Sequence, residues 1–188
     1  FFARPEDIDP DYIRRAKIFH FSGISQAISG SCREAAFKAA QIARDEGVLV
    51  SYDPNVRLKL WPLETAKEVI QRTLKITDIA LPSLRDARLI FGDRPAKEIA
   101  EKILRAGVKI VAIKMGAEGC LVATKEKTFT FPAYKVEVID TAGSGDAFDA
   151  GIIVGLLEGW EIEKAAIFAN AAAALKCLGR GAVEPLPC

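Results

Sequence analysis

Hydrophobic and polar positions alternate along this chain in two rhythms. Short apolar runs rich in β-branched residues lie between longer stretches with a 3.6-residue period. Lys17–Phe21, Val48–Tyr52, Asp78–Leu81 and Lys109–Lys114 read as strands, and their nearly continuous apolar character fits a parallel sheet covered on both faces. Between them, Pro10–Arg15 reads as a helical turn, and Ser22-Gly23 closes the first strand. Ser31 with Glu34 three residues on reads as a capping box, for a helix burying Ala35, Ala36, Ala39, Ile42 and Ala43 and ending at Gly47. Further helices are expected from Pro62 to Lys75, Ser83 to Phe91 and Pro95 to Ala106. The rhythm then changes. Cys120–Thr124 and Thr128–Pro132 flank a polar Lys-Glu-Lys and predict an edge β-hairpin. Two consecutive helices follow, Gly145–Glu158, apolar on most sides and so expected to be buried, and Ile162–Leu178, rich in alanine. The whole predicts one α/β domain, a doubly wound, mostly parallel sheet with helices on both faces.

Composition narrows the chemistry. Lys and Arg number 26 against 25 Asp and Glu, for a net charge of +1, so there is no electrostatic case for nucleic acid or an anionic membrane as partner. No apolar run reaches membrane-spanning length. Cys32, Cys120, Cys177 and Cys188 are scattered and read as reduced core thiols of a cytoplasmic protein. The single histidine, His20, is read as a core residue, which leaves little material for His-based triads or His-rich metal sites. Monomer and homo-oligomer are both compatible with this composition.

The most informative stretch runs from Val138 to Gly151. A β-branched lead-in, read as a strand, enters Gly143-Ser144-Gly145 and then a long helix with Asp146 in its first turn. Glycines permit a sharp turn and close approach to a ligand, and the unpaired amides of a helix start favour an anion. Asp146 has an ordinary explanation as a helix-start acid. It has a chemical one as well: an acid beside an anion site is repelled by phosphate, unless it takes a proton while the amides hold a transferring phosphoryl group.

Asp140-Thr141-Ala142-Gly143-Ser144-Gly145-Asp146-Ala147-Phe148 resembles the C-terminal signature of the ribokinase-like (PfkB) carbohydrate kinases, D-T-x-G-A-G-D, with Ser144 for the usual alanine. The resemblance implies that Asp146 is the general base and that the amides of Gly143, Ser144, Gly145 and Asp146 form the anion hole, with ATP and Mg²⁺ as cofactors and a sugar or sugar acid as acceptor. It spans all 188 residues but matches only the C-terminal, nucleotide-binding and catalytic part of the family's single domain. The N-terminal sugar-binding and lid part has no counterpart, so a fragment is expected.

Other candidates lie at strand ends. Asp53-Pro54-Asn55 is an ordinary turn, but a turn does not require Arg57, which suits a phosphate or carboxylate. The segment to Trp61 resembles D-x-N-x-R-x-x-L-W of 2-keto-3-deoxygluconate kinases and some fructokinases. That assigns Arg57 to substrate and phosphoryl, Asn55 to substrate, and favours 2-keto-3-deoxygluconate over fructose or ribose. Ser83 and Asp86 stand where the family carries N-x-x-E: the resemblance brings Ser83 near nucleotide and Asp86 to Mg²⁺ through water, while helix capping alone also explains both. Lys114, Gly116 and Gly119 resemble the K-x-G-x-x-G turn along the nucleotide. Asn170 either bonds a neighbouring carbonyl or faces the adenine. Gly179–Ala182 with Asp140 resembles a monovalent-cation loop. A dinucleotide-binding dehydrogenase fits poorly, because the third glycine is misplaced. A module that binds nucleotide or sugar without turnover is the alternative from another class.

Overall fold

The computed structural model describes residues 3–186. Phe1, Phe2, Pro187 and Cys188 lie outside the described residues. Six strands form one sheet in the order β1 (Ile18–Ser22), β2 (Leu49–Asp53), β3 (Ile79–Ala80), β4 (Ile110–Lys114), β5 (Cys120–Ala123) and β6 (Thr128–Phe131). Strands β1 to β4 are parallel. The two pairs β4–β5 and β5–β6 are antiparallel, so the last two strands are the expected hairpin.

Alternation along the strands sends successive side chains to two cores. Ala80, Val111, Ile113, Leu121 and Ala123 join one, with α2 (Gly23–Ala27), α3 (Gly30–Asp45), α4 (Leu63–Leu74), α5 (Leu84–Phe91) and α6 (Ala96–Arg105). Ile79, Leu81, Ala112, Cys120 and Val122 join the other, with α7 (Ser144–Leu157) and α8 (Ile162–Lys176). Helices thus cover both faces of an α/β sheet. A four-residue helix, α1 (Pro10–Ile13), capped by Asp9, precedes β1.

Several local expectations are corrected. Ser22-Gly23 does not merely close a strand. Ser22 caps α2, its Oγ accepting the Ile24 N–H at 3.3 Å. Helix α3 is capped by Ser29, whose Oγ accepts the Cys32 N–H at 3.1 Å, and Ser31 lies inside the helix, because Gly30 is already helical. The lead-in Val138–Asp140 is not a strand. The amides of Ile139 and Asp140 both bond the Cys177 carbonyl at the end of α8, at 2.8 and 3.3 Å, which leaves them no sheet partner. Helix α7 is buried only where it faces sheet and α8, with Val154 and Leu157 exposed. His20 is exposed on β1, its Nδ1 3.0 Å from Ser51 Oγ. Cys32, Cys120 and Cys177 are buried as expected.

Helices α7 and α8 touch through small residues. A Cβ on Gly151 would stand 2.6 Å from the Ala169 Cα, and one on Gly155 would stand 2.5 Å from the Ala165 Cβ. Neither position has room for a side chain, so the helix that begins with the Gly-Ser-Gly turn is seated firmly against its neighbour.

Candidate functional site

The strand ends of β2 and β4 and the start of α7 converge on one cluster. Lys114, the last residue of β4, places its Nζ 3.1 Å from Asp53 Oδ2 at the end of β2, and 2.8 and 2.9 Å from the two carboxylate oxygens of Asp149 on α7. Asp53 and Asp149 are buried, and Lys114 is only slightly exposed. Burial pulls the Lys114 ammonium down, but Asp149 and Asp53 outweigh it and hold the group above the ordinary lysine value. Asp146 lies one turn before Asp149 and is exposed. Carboxylate oxygens of Asp53, Asp146 and Asp149 lie within 4.8 Å of one another. Three acids against one lysine leave surplus negative charge, the donor set a hard divalent cation prefers.

Beside this cluster is the start of α7. Gly143 has φ +79, and a Cβ there would meet the Ala182 carbonyl oxygen at 2.9 Å, so glycine is required by conformation and by space. The Ser144 amide turns back to the Thr141 carbonyl at 3.1 Å. The amides of Gly145 and Asp146 lie in the first turn, where the helix provides no acceptor. They and the helix dipole form an anion site with Asp146 at its rim. Asp140 closes the turn: its carboxylate accepts the N–H of Ala142 and of Gly181, each at 2.9 Å. Those bonds hold the Asp140 carboxyl below its usual range.

A cleft of about 420 Å³ opens from this helix start. Lys114, Gly116, Gly119, Ser144, Gly145 and Asn170 are among its walls. Gly119 passes so close to the Phe131–Ala133 backbone that a Cβ would stand 2.0 Å from the Phe131 oxygen. Asn170 donates from Nδ2 to the Pro132 carbonyl at 3.3 Å, so it both bonds a neighbouring carbonyl and faces the cleft. Lys114 touches the cleft with its stem, while its ammonium is committed to the two aspartates.

The Asp53–Trp61 loop reaches the site from the other side. Asp53 Oδ1 accepts the Asn55 N–H at 3.1 Å, and Asn55 has φ +36, in the left-handed region asparagine tolerates. The loop lies against Gly23, where a Cβ would stand 2.0 Å from the Pro54 oxygen. Asp86 Oδ2 accepts the Val56 N–H at 3.2 Å, so this carboxylate braces the loop directly. Burial pushes the Asp86 carboxyl up. Asp86 stands outside the Asp53–Asp146–Asp149 group. Ser83 caps α5, its Oγ accepting the Asp86 N–H at 3.0 Å. Arg57 is exposed, and among the described residues its guanidinium makes no hydrogen bond or ion pair.

Sequence reasoning passed over two members of this cluster. Asp53 looked like a turn former. Asp149 was unremarked, although Asp146-x-x-Asp149 places two acids on adjacent turns of one helix.

The family model described as pfkB family carbohydrate kinase matches residues 2–188. Probable fructokinase-6, chloroplastic, of Arabidopsis thaliana is 37% identical over 193 residues, covering 96% of this chain and 50% of that protein. The chain therefore spans about half the length of that relative. Two solved structures superpose closely. Fructokinase from Vibrio cholerae O395, in its fructose, ADP and calcium ion bound form, gives a TM-score of 0.90 at 27% identity, covering 99% of this chain and 62% of that one. The 2-dehydro-3-deoxygluconokinase of Thermotoga maritima gives 0.89 at 28% identity, covering 98% and 61%.

Proposed function

The chain belongs to the pfkB family of carbohydrate kinases, and on that footing we propose that it is the nucleotide-binding and catalytic part of an ATP-dependent kinase acting on a ketose or keto sugar acid. The observation that carries the reading is the start of α7. An exposed carboxylate, Asp146, stands at the rim of two unpaired amides, next to a cleft large enough for a nucleotide.

In this reading Asp146 takes the proton from the attacking sugar hydroxyl. The amides of Gly145 and Asp146 hold the equatorial oxygens of the transferring phosphoryl group, with the Gly143 turn fixing their direction. Arg57, whose guanidinium is uncommitted, pairs with the phosphoryl group or with an acidic substrate. Asn55 presents its side chain to the sugar from the same loop. Gly116, Gly119, Asn170 and the stem of Lys114 line the nucleotide. A Mg²⁺ ion, when bound, would neutralise charge on the triphosphate, and the surplus negative charge of the Asp53–Asp146–Asp149 cluster would draw it to this side of the site. Asp86 serves by setting the loop that carries Arg57.

Two acceptors are supported by different observations. The Asp53–Trp61 loop points to 2-keto-3-deoxygluconate. The identity to a fructokinase points to fructose. Both are furanose-forming keto sugars with a terminal hydroxyl, and the keto acid adds a carboxylate that Arg57 can pair with. ADP release by the full-length protein with Mg²⁺ and ATP decides between them, using fructose, 2-keto-3-deoxygluconate and ribose. Turnover should be at least tenfold greater on one of the two keto sugars than on ribose. No ADP release with any sugar, with nucleotide still bound, overturns the reading and leaves a binding module.

A further inference from the structure

Lys176 ends α8, and its side chain is fully shielded from solvent. A lysine in the last turn of a helix usually keeps its ammonium in water, or bonds the last carbonyls of its own helix. This one reaches 36 residues back along the chain, and its Nζ donates to the Asp140 carbonyl at 2.8 Å. That is its one hydrogen bond among the described residues, and no carboxylate pairs with it. An ammonium is expensive to bury without such a partner, so its position calls for a purpose.

Asp140 begins the Gly-Ser-Gly turn, and every polar group it has is engaged there. Its N–H bonds the Cys177 carbonyl at 3.3 Å, its carboxylate takes the Ala142 and Gly181 amides, and its carbonyl takes Lys176. The Asp140 carbonyl oxygen thus faces a full positive charge, as it would beside a bound alkali cation. Here the charge is tethered to the chain.

We propose that Lys176 is a built-in monovalent cation, a positioning residue that fixes the Asp140 carbonyl and so holds the turn presenting the Gly145 and Asp146 amides. Asp140, which with Gly179–Ala182 resembles a monovalent-cation loop, already has a positive partner on its carbonyl, and this chain needs no added potassium there. The proposal rests on the kinase reading only for its kinetic readout.

The test uses the full-length protein, wild type, Lys176→Met and Lys176→Ala. Each is measured in potassium chloride, ammonium chloride and tetramethylammonium chloride at equal ionic strength, for ADP release and for thermal unfolding without substrates. The wild type should respond alike to all three salts. Lys176→Met, which fills the same space without charge, should keep its fold and KM for ATP while kcat falls about tenfold or more, with no rescue. Lys176→Ala leaves room for an ion, so potassium or ammonium should raise kcat at least fivefold and raise the unfolding temperature, whereas tetramethylammonium should not. A merely structural lysine would lower the unfolding temperature of both variants without any cation selectivity. Wild-type kcat in Lys176→Met, equal responses of Lys176→Ala to potassium and tetramethylammonium, or a wild type several-fold activated by potassium would each overturn the proposal. If Lys176→Ala does not fold in any salt, Lys176→Met and the wild-type salt response decide. If no sugar is turned over, the kinase reading has failed, and cation-selective stabilisation of Lys176→Ala still decides the role of Lys176.

Discussion

The two faces of the sheet are built from different residues and do different work. The face under α3 to α6 is packed with large aliphatic and aromatic side chains, among them Tyr52, Ile70, Leu74, Ile99, Ile103 and Ile113, all fully buried. The other layer also buries Leu81, Phe148 and Ile152 against the sheet, but its two helices meet each other through Gly151, Gly155, Ala165 and Ala169, close enough that a Cβ on either glycine would clash. A core of large side chains tolerates a lost methyl, because neighbours relax into part of the space. A seam of glycine and alanine tolerates no gain, because what must move is backbone. The start of α7, where the proposed site is built, lies on the second face. Its geometry is inherited from a helix that cannot shift against its partner.

Four measurements set the two faces against each other. The largest effect is expected where the faces meet. Lys114→Met leaves Asp53 and Asp149 buried without their cation and should cost about 3–5 kcal/mol in urea unfolding. Adding Asp149→Asn should recover part of that loss. No recovery would show that the lysine stem, and not the charge, holds the three elements together.

Next is Gly151→Ala. Alanine favours a helix interior over glycine by about 1 kcal/mol, yet its Cβ would stand 2.6 Å from the Ala169 Cα. A net loss of about 2 kcal/mol is expected from overpacking. A stabilised variant would show that the seam has slack. Ile103→Val, one methyl removed from the opposite face, should cost only about 1 kcal/mol by the same measurement.

The smallest effect is set by pH. Burial pushes the Cys120 thiol up to about 11 from 9.0 in the unfolded chain. Because the folded form holds its proton more tightly, this contribution is complete below pH 9 and is lost as pH rises through 11. The loss should be on the order of 1 kcal/mol at most by pH 10. Cys120→Ala should flatten the slope between pH 9 and 11 relative to wild type. An unchanged slope would assign the alkaline loss to other groups.

What could be read from the chain follows the same division. The helices of the first face carry a clear apolar stripe, and their ends lie within a residue or two of expectation, apart from the Ser29 cap. The hairpin was legible from its two extended runs around a polar turn. Helix α2 was missed because five residues are too few to show a period. The lead-in to the signature was misread because its β-branched residues look like a strand. Only the folded chain shows that the end of α8 takes their amides. At the site, local signals revealed Asp146 and the glycine turn. The partners of Lys114 depend on β3 lying between β2 and β4 and on where α7 packs, and neither is written in local sequence. Lys176 was hidden for the same reason, as one lysine in an alanine-rich helix.

The proposed kinase chemistry depends above all on Asp146 acting as the base at a phosphoryl-transfer site. The most direct test compares kcat and nucleotide affinity of full-length wild type and Asp146→Asn. If the account is right, kcat falls by about 10²–10⁴-fold, while the Kd for ATP changes by less than about threefold. An Asp146→Asn variant with wild-type kcat, or one that loses nucleotide binding in step with turnover, would contradict it.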